Sequence, residues 1–512
     1  MLTHLDPASA LAVGLLIFAL LMVVIFEATN GFHDAANAVA TVIYTKSLRP
    51  TQAVLWSGVM NFVGVLVGGI AVAYALVELL PAEVLSPPDG GPAVAMLIAL
   101  FVAALTWNIG TWWLGLPNSS SHCLIGALIG VALGNAVVHS RSMTDGVHWH
   151  QLWTVLYALA LSPILGFALA GGLYLITRKT VHDKNLYQPA TDHPPVWWMR
   201  GILILTCTGV SFAHGTNDGQ KSIGLIMLTI IGLFPATFAL NPQAGQSLAD
   251  LPKIMQQAEP LVRKYGDDEQ ESALAAVRSL EKGAVATQAS AAGAGAAGAA
   301  ANANGTSDAS GLAHAPQSGV VRLASLGVDD TGRPPGLELG LTSPAAKARS
   351  MVRDDVYQVI SQLKHVQEAR AVSKEERKQA ADLAKQLGRS VEYAPVWVRL
   401  LSAVCLGIGT MIGYKRIVTT LGERLGNVHL TPAQGAAAEV VSAVLIGTAG
   451  FTGLPVSTTH IVTSGISGTM VTARAGLQYS MLSRILIAWC LTLPVTIVVA
   501  GGLYYLLANP RL

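Results

Sequence analysis

The chain has 512 residues, of which 52% are hydrophobic and only 12% are charged, whereas soluble proteins carry about a quarter charged residues. This composition excludes an ordinary soluble enzyme and indicates an all-α membrane protein that crosses the bilayer several times. Because the formal net charge is only +2, no basic surface that would bind nucleic acid is expected.

The predicted membrane segments are apolar runs that follow one another along most of the chain. The first run, residues 8–26, lacks the basic start and the cleavage site of a signal peptide, so it predicts a transmembrane helix. Further runs cover residues 51–79, 94–114, 124–138, 152–176, 196–234, 396–412, 434–450, 461–471 and 485–507. Two of them, 124–138 and 461–471, are too short for a full crossing and predict half-helices of re-entrant hairpins.

A polar segment, residues 243–394, interrupts these runs and holds 35 of the 62 charged residues. Its Ala/Gly/Asn-rich part, residues 283–305, has too few large apolar groups to build a core and is predicted to be disordered. Residues 351–387 are charged and helix-prone, which predicts a partly helical soluble insertion. The predicted organisation is a first transmembrane repeat (1–180), the start of a second repeat (196–242), the insertion (243–394) and the remainder of the second repeat (395–512).

The placement of Lys and Arg predicts the orientation, because cytoplasmic connections carry an excess of both. The connection 78–91 is acidic and has no basic residue, so it is predicted to lie outside. The connections that contain Arg49, Arg178 and Arg416 are basic. These connections and the central insertion are predicted to be cytoplasmic.

Three sequence motifs occur twice in the same order, which indicates an internal duplication. The pairs are GFHDAANA (31–38) with GTNDGQKS (215–222), GLPNSSSH (115–122) with GLPVSTTH (453–460), and AGGLY (170–174) with AGGLY (500–504). The first pair aligns Asp34 with Asp218. If each copy has an odd number of crossings, the two copies are inverted, as in many secondary transporters that bind substrate at broken helices near the midplane.

Hydroxyl side chains follow the proline of both GLP motifs. Proline suits the first turn of a helix, so a helix that begins after Pro117 or Pro455 would present free backbone N–H groups and partial positive charge to an anion. Two such ends that face each other predict an oxyanion site, although hydroxyls that merely cap a helix are the alternative. The side chains assigned to this site are Ser119, Ser120, Ser121, Ser457, Thr458 and Thr459.

Carboxylates within apolar runs indicate a functional site, because a charge at the centre of a membrane helix costs about 2.5–3.5 kcal/mol on insertion scales. Asp34 and Asp218 are therefore predicted to bind a coupling cation or to share protons with the anion. An ion pair that neutralises Asp218 with Lys221 is the alternative. Glu27, near the end of the first run, is equally compatible with a position at the membrane interface.

Histidines adjoin all four principal motifs, at positions 33, 122, 214 and 460. Histidine titrates near physiological pH and can relay protons, although a hydrogen-bonded core histidine is the alternative for each. An intramembrane hydrolase would require one activated serine within reach of a base. Adjacency of Ser and His along one helix is not expected to give that geometry, so no enzyme is predicted.

The motifs GFHDAANAVATVIYTKSL, GTNDGQKSIGLIML, GLPNSSSHCLIGALIG and GLPVSTTH resemble those of the inorganic phosphate transporter (PiT) family, most closely its bacterial low-affinity members. The resemblance covers both membrane halves but not the insertion. It implies two inverted repeats with re-entrant hairpins, in the bacterial cytoplasmic (inner) membrane, that import phosphate by alternating access. It also implies cation coupling, to protons in bacterial members, often with phosphate moving as a neutral complex with a divalent metal.

The family signature Gly-Ala-Asn-Asp-Val-Ala-Asn falls on residues 31–37 and 215–221. The residues that match family positions are Asp34, Asn37, Asn217, Asp218 and Glu439. Three departures stand out: His33 and Lys221 each replace an asparagine of the signature, and Asn61 stands where sodium-coupled relatives have glutamate.

An ammonium at Lys221 would repel sodium and could take its place, so proton coupling is predicted. The residues assigned to the coupling ion or proton are His33, Lys221, Glu439, His122 and His460. A sulfate or other oxyanion permease and a sodium-coupled phosphate symporter are the alternatives. No tightly bound cofactor is predicted, no protein-bound metal is identified, and association of identical copies is left open.

Overall fold

In the computed structural model of the protein, the described residues are 7–80, 84, 93–142, 149–189, 194–267, 270–281, 344–369 and 371–509. The first repeat contains α1 (Pro7–Tyr44), α2 (Pro50–Val67), α3 (Ala71–Val77), α4 (Val94–Trp113), α5 (Ser120–Val138) and α6 (Trp149–Thr180). Then come α7 (Trp197–Leu233), α8 (Leu251–Tyr265), α9 (270–281), α10 (Pro344–Glu368) and α11 (Lys374–Val391). The second repeat ends with α12 (Val396–Met411), α13 (Lys415–Thr419), α14 (Pro432–Thr452), α15 (Thr458–Ala473) and α16 (Tyr479–Ala508).

Apolar helices long enough to cross a membrane dominate the described part of the chain. Seven helices meet this condition there, namely α1, α2, α4, α5, α6, α14 and α16. No strand occurs in the described ranges, which confirms the predicted all-α polytopic fold. The chain divides into a membrane unit, formed by residues 1–85, 93–229 and 394–512, and a second unit built around Ile230–Tyr393.

Helices α1 and α7, which begin the two repeats, run antiparallel to each other. Asn30 donates a hydrogen bond to Asp218 at 3.4 Å, and Nε2 of His214 lies 3.3 Å from Asp34. Asn30 and His214 each precede their own aspartate by four residues, so each repeat reaches the aspartate of the other. This reciprocal pairing is what an inverted duplication produces.

Both GLP motifs form the tight turn of a helical hairpin, between α4 and α5 and between α14 and α15. Gly115 and Gly453 have φ angles of +68° and +79°, a conformation that glycine adopts without strain. The helices after the turns begin at Ser120 and Thr458, earlier than the apolar runs suggest, because the hydroxyl residues are themselves helical. With 19 residues, α5 is longer than the apolar run 124–138 from which a short half-helix was predicted.

The hairpins pack against the last helix of the opposite repeat. A Cβ on Gly130 of α5 would lie 2.3 Å from the carbonyl oxygen of Ile497 on α16. A Cβ on Gly468 of α15 would lie 2.2 Å from the carbonyl oxygen of Phe167 on α6. Such contacts exclude any side chain, so the two repeats exchange partners and form one bundle around the hairpin tips.

Close crossings also fix the signature segments of α1 and α7. A Cβ on Gly31 would lie 2.5 Å from the backbone of Gly409 on α12, and a Cβ on Gly215 would lie 2.3 Å from the carbonyl oxygen of Asn61 on α2. These glycines hold equivalent places in the duplication. They let the helices approach closely enough to bring both signature motifs to one place.

The two faces of the membrane unit carry different connections. Arg200, at the start of α7, donates to the carbonyl oxygen of Ser47, so the basic turn after α1 lies at the same face as the start of α7. Because α7 has 37 residues and is about 55 Å long, its far end reaches the opposite face. Arg399, where the chain returns from the insertion, bonds the carbonyl oxygen of Gly68, at the end of α2 away from Arg49.

The face with Ser47 and Arg200 is called here the basic face, and the other the insertion face. The cytoplasmic position of the basic connections and of the insertion stays a prediction. The acidic connection 78–91, predicted to lie outside, falls outside the described residues except for 78–80 and 84.

The second unit has its own apolar core, in which α8, α9, α10 and α11 pack together through residues such as Met255, Val277, Val359 and Leu387. Ser373 caps α11 in a reciprocal capping box with Glu376. Hydrogen bonds from Ser373 and Lys264 lower the pKa of Glu376 to about 2, so this carboxylate stays ionised at neutral pH. The predicted disordered stretch, 283–305, lies outside the described residues.

Candidate anion and cation site

The sequence-predicted residues meet where α1, α7 and the two hairpin tips converge. Asp34 and Asn37 lie on α1, one turn apart, and Asp218 and Lys221 hold the equivalent positions on α7. The hydroxyl residues Ser119, Ser120, Ser121, Ser457, Thr458 and Thr459 lie at the starts of α5 and α15. All of these side chains are buried, so the centre of the membrane unit contains an extensive polar cluster.

Asp34 is held by neutral donors from its own helix and from the second hairpin. Its Oδ1 accepts hydrogen bonds from Asn37 at 2.7 Å, Thr458 at 3.0 Å and Thr459 at 2.5 Å. Asn37 also donates to Thr459, at 3.3 Å. The start of α15 is thereby tied to α1, and Asp34 keeps its second oxygen for the space between the two repeats.

Asp218 is held by a charged donor and is connected to the first hairpin. Lys221 donates to Asp218 at 2.6 Å, to the hydroxyl of Ser121 at 2.5 Å and to the carbonyl oxygen of Val456 at 3.0 Å. The ion pair weighed as an alternative for Asp218 is thus present. Since the same ammonium contacts both hairpin tips, it also adds positive charge at the place where an anion would bind.

His214 joins the two aspartates and is the principal residue that was considered as a proton relay but not assigned to the site. Its Nε2 lies 3.3 Å from Asp34 and 3.4 Å from Asp218. Its Nδ1 donates to the amide oxygen of Asn61 at 2.6 Å, which leaves Nε2 free to meet a proton or a metal ion. The side chain of Asn61 therefore sets the orientation of the imidazole.

Asp34, His214 and Asp218 form a group that could hold a metal ion. One ligand atom from each residue lies within 4.8 Å of the others, and all three residues are buried. Oδ2 of Asp34 and Nε2 of His214 have no partner at hydrogen-bond geometry. Two carboxylates and an imidazole with a hydrogen-bonded Nδ1 are a donor set suited to a divalent cation.

The helix starts at the hairpin tips are capped in the same way in both repeats. The hydroxyl of Ser119 accepts from the amide of His122, and that of Ser457 accepts from the amide of His460. The rings of His122 and His460 lie 4.5 Å apart, and Trp489 stacks on His460 at 3.9 Å. The two tips are therefore in direct contact, with a compact aromatic cluster beside them.

One of these contacts corrects the expectation about serine and histidine. Nδ1 of His122 lies 2.7 Å from the hydroxyl of Ser119, so the two residues do come within hydrogen-bond reach. The same hydroxyl accepts a hydrogen bond from the backbone amide of His122, and no carboxylate within the described ranges bonds His122. The contact thus has the features of a helix cap and lacks the orienting third group of a catalytic triad.

Other predicted residues lie beside the cluster without joining it. His33 donates to the carbonyl oxygen of Asn108 on α4 at 2.9 Å, and Asn217 donates to that of Leu454 at 3.4 Å. Glu439 accepts a short hydrogen bond from Thr206 and has a second buried oxygen without a partner.

The structure adds Asn30, Asn61 and Glu27 to the residues around the site. Asn30 donates to Asp218, and its position four residues before Asp34 repeats that of His214 before Asp218. The duplication therefore contained the signal that relates Asn30 to His214, although the two residue types differ. Asn61 was noted only as a departure from sodium-coupled relatives.

Two hairpin tips that meet at a buried polar cluster, inside a bundle of inverted repeats, define a membrane transport protein rather than an enzyme. Residues 30–500 match the phosphate transporter family. The low-affinity inorganic phosphate transporter PitA of Escherichia coli K12 is 38% identical, over 98% of this chain and 99% of PitA. PitB of the same organism, also named a low-affinity inorganic phosphate transporter, is 36% identical over 96% of each chain.

The chain therefore belongs to the phosphate transporter family, as the motifs predict. A solved structure named the sodium-dependent phosphate transporter aligns with a TM-score of 0.55, covering 97% of this chain and 100% of that chain. At 16% identity this likeness concerns the fold alone.

Proposed function

We propose that this protein imports inorganic phosphate by proton symport with alternating access. The observation that carries the proposal is the contact of Lys221 with both hairpin tips beside Asp218. The tips contribute capped helix starts and hydroxyls, which suit an oxyanion, and the ammonium adds the charge that phosphate requires. The printed names of PitA and PitB support phosphate as the anion.

Proton coupling is favoured over sodium coupling by the charge of the site. Lys221 lies at the place that corresponds to Asn37, so one repeat has a fixed cation where the other has an amide. A sodium ion close to this ammonium would be repelled at short range in a buried, low-dielectric environment. Protons avoid this conflict because they bind to the imidazole and carboxyl groups themselves.

A divalent cation is proposed to accompany phosphate as part of the substrate. The carboxylates of Asp34 and Asp218 and the imidazole of His214 are suitable ligands for the metal, and the hairpin tips are suited to bind the phosphate. A neutral metal–phosphate complex would reduce the cost of placing an anion beside Asp34 and Asp218. Sulfate is expected to bind less favourably beside the acidic residues, because it stays fully deprotonated and cannot donate a hydrogen bond to a carboxylate.

The proposed location is the bacterial cytoplasmic membrane, with the lipid bilayer around the membrane unit. Since cytoplasmic connections are rich in Lys and Arg, the basic face is assigned to the cytoplasm. The insertion face is then periplasmic, in contrast to the cytoplasmic position expected for the insertion. Opening of the site alternately to these two faces, with the hairpins as moving parts, would carry phosphate inward.

Uptake of radioactive phosphate by the purified protein in liposomes tests this proposal. Uptake is expected to rise with an inward proton gradient, to ignore an inward sodium gradient and to increase when magnesium is added. Empty liposomes are the control for leakage. Uptake that follows sodium and ignores the proton gradient would contradict the proposal, and inhibition by equimolar sulfate would favour the oxyanion permease.

A further inference from the structure

Glu27 is a buried carboxylate that the proposed substrate site does not use. It lies on α1, is 1% exposed, and neither of its oxygens has a partner at hydrogen-bond geometry among the described residues. Ser222 of α7 lies within reach of the carboxylate. A buried, ionised carboxylate without a partner is costly, whereas the neutral acid can donate a hydrogen bond to a hydroxyl.

Glu27 continues the polar contacts between α1 and α7 beyond the site. Asp34 faces His214, Asn30 faces Asp218, and Glu27 faces Ser222 at successive turns of the antiparallel pair. Seven residues separate Glu27 from Asp34, which is about 10 Å along the helix. Since α7 runs from the basic face to the insertion face, Glu27 lies on the insertion-face side of the site.

The duplication shows that Glu27 is an addition to one repeat only. The equivalent position in α7 is Ser211, which precedes Asp218 by seven residues and donates to Ser57 at 2.9 Å. The residues that build the paired site, in contrast, have counterparts in both repeats. Because this carboxylate occurs in only one repeat, it is better suited to coupling, which needs a single additional ionisable group, than to the substrate site, to which both repeats contribute.

The charged and titratable groups around Glu27 come from two helices. On α7 they are His214, Asp218 and Lys221, and on α12 the neighbour is Cys405. The ammonium of Lys221 is already engaged by Asp218, at 2.6 Å. Glu27 therefore has no cation of its own, and a proton is the simplest partner for it.

We propose that Glu27 holds the symported proton while phosphate occupies the site. An O–H bond forms at the Glu27 carboxylate when the site is open to the insertion face. The same bond breaks when the site opens to the basic face, so the proton crosses together with phosphate. This inference depends on the proposed proton symport and identifies the residue that performs it.

Glu27→Gln tests the inference, because glutamine imitates the neutral acid and cannot release a proton. The variant is expected to keep phosphate–phosphate exchange between the two sides of a liposome at equal pH. It is expected to lose phosphate accumulation driven by an inward proton gradient. Exchange by the wild type should fall more steeply as pH rises than exchange by the variant, because phosphate itself titrates in both cases whereas Glu27 can ionise only in the wild type.

Glu27→Asp keeps a carboxylate and is expected to retain gradient-driven accumulation. Glu375→Gln, an exposed change on α11, is the control and is expected to behave as the wild type. Accumulation by Glu27→Gln at the wild-type level would overturn the inference. So would loss of exchange in Glu27→Gln protein that elutes as a folded species, because Glu27 would then belong to the substrate site or the structural core.

The response of the wild-type protein to the proton gradient distinguishes a failure of the Glu27 assignment from a failure of the proposed proton symport. A wild-type protein that ignores the proton gradient would refute proton symport itself. A wild type that responds, beside a Glu27→Gln variant that also responds, would refute only the assignment of Glu27.

Discussion

The two aspartates of the site have different partners although they occupy equivalent positions. Asp34 is held by an amide and two hydroxyls, whereas Asp218 is held by an ammonium and an amide. Neutral hydroxyl donors can reorient toward a ligand at low cost. We infer that Asp34 and the second hairpin adjust when substrate binds, while Lys221 fixes Asp218.

Replacement of either aspartate by asparagine is expected to abolish phosphate transport without preventing membrane insertion. Asp34→Asn removes the negative charge of the group that accepts hydrogen bonds from Thr458 and Thr459. Asp218→Asn leaves the buried ammonium of Lys221 without its ion-pair partner. Liposome uptake and the yield of protein in the membrane fraction measure the two effects. Asp382→Asn on α11 is the control, and wild-type uptake by both site variants would contradict the proposed mechanism.

At the scale of the elements, helices α7 and α2 cross closely because Gly215 has no side chain at the crossing point. A methyl group on Gly215 would lie 2.3 Å from the carbonyl oxygen of Asn61, so any side chain forces the helices apart. Overpacking of this kind costs about 1–3 kcal/mol and would also move His214, which depends on Asn61. Gly215→Ala is therefore expected to lower both thermal stability and phosphate uptake.

Gly201 on the same helix supplies the matched control for this prediction. No atom lies within 4 Å of a Cβ placed there, so Gly201→Ala is expected to leave stability and uptake unchanged. Thermal unfolding in detergent and liposome uptake compare the two variants. Equal behaviour of the two would mean that the crossing at Gly215 is not what holds the site.

The sequence predicted the elements and most of the residues that meet in the buried polar cluster, because duplication and chemistry were visible in the residue order. The GLP turns, the hydroxyl helix starts and the paired aspartates occur as local motifs, and each has a direct physical reason. The contacts made by Asn30, Asn61 and Glu27 depend on how helices distant in sequence cross, and no local pattern specifies such crossings. The start of α5 was missed because hydrophobicity marks lipid contact, and Ser120 begins a helix that is buried in protein.

The sidedness that we propose for the membrane unit depends on the length of α7 combined with the distribution of basic residues. The chain enters α7 beside Ser47, at the face that carries Lys46 and Arg49, and leaves it at the other face to form the insertion. Charge counting predicts that both lie in the cytoplasm, whereas the path of α7 favours opposite sides for them. Long soluble segments are poor guides to orientation, since they are translocated largely regardless of their charge.

The insertion is therefore expected to face the periplasm. In a variant whose four native cysteines are replaced, Glu375→Cys on α11 should react with a membrane-impermeant maleimide in intact spheroplasts. Thr51→Cys, exposed at the start of α2 on the basic face, should react only after the membrane is opened. The opposite pattern would reverse the orientation of the membrane unit, and labelling of both residues from one side would contradict the crossing of α7.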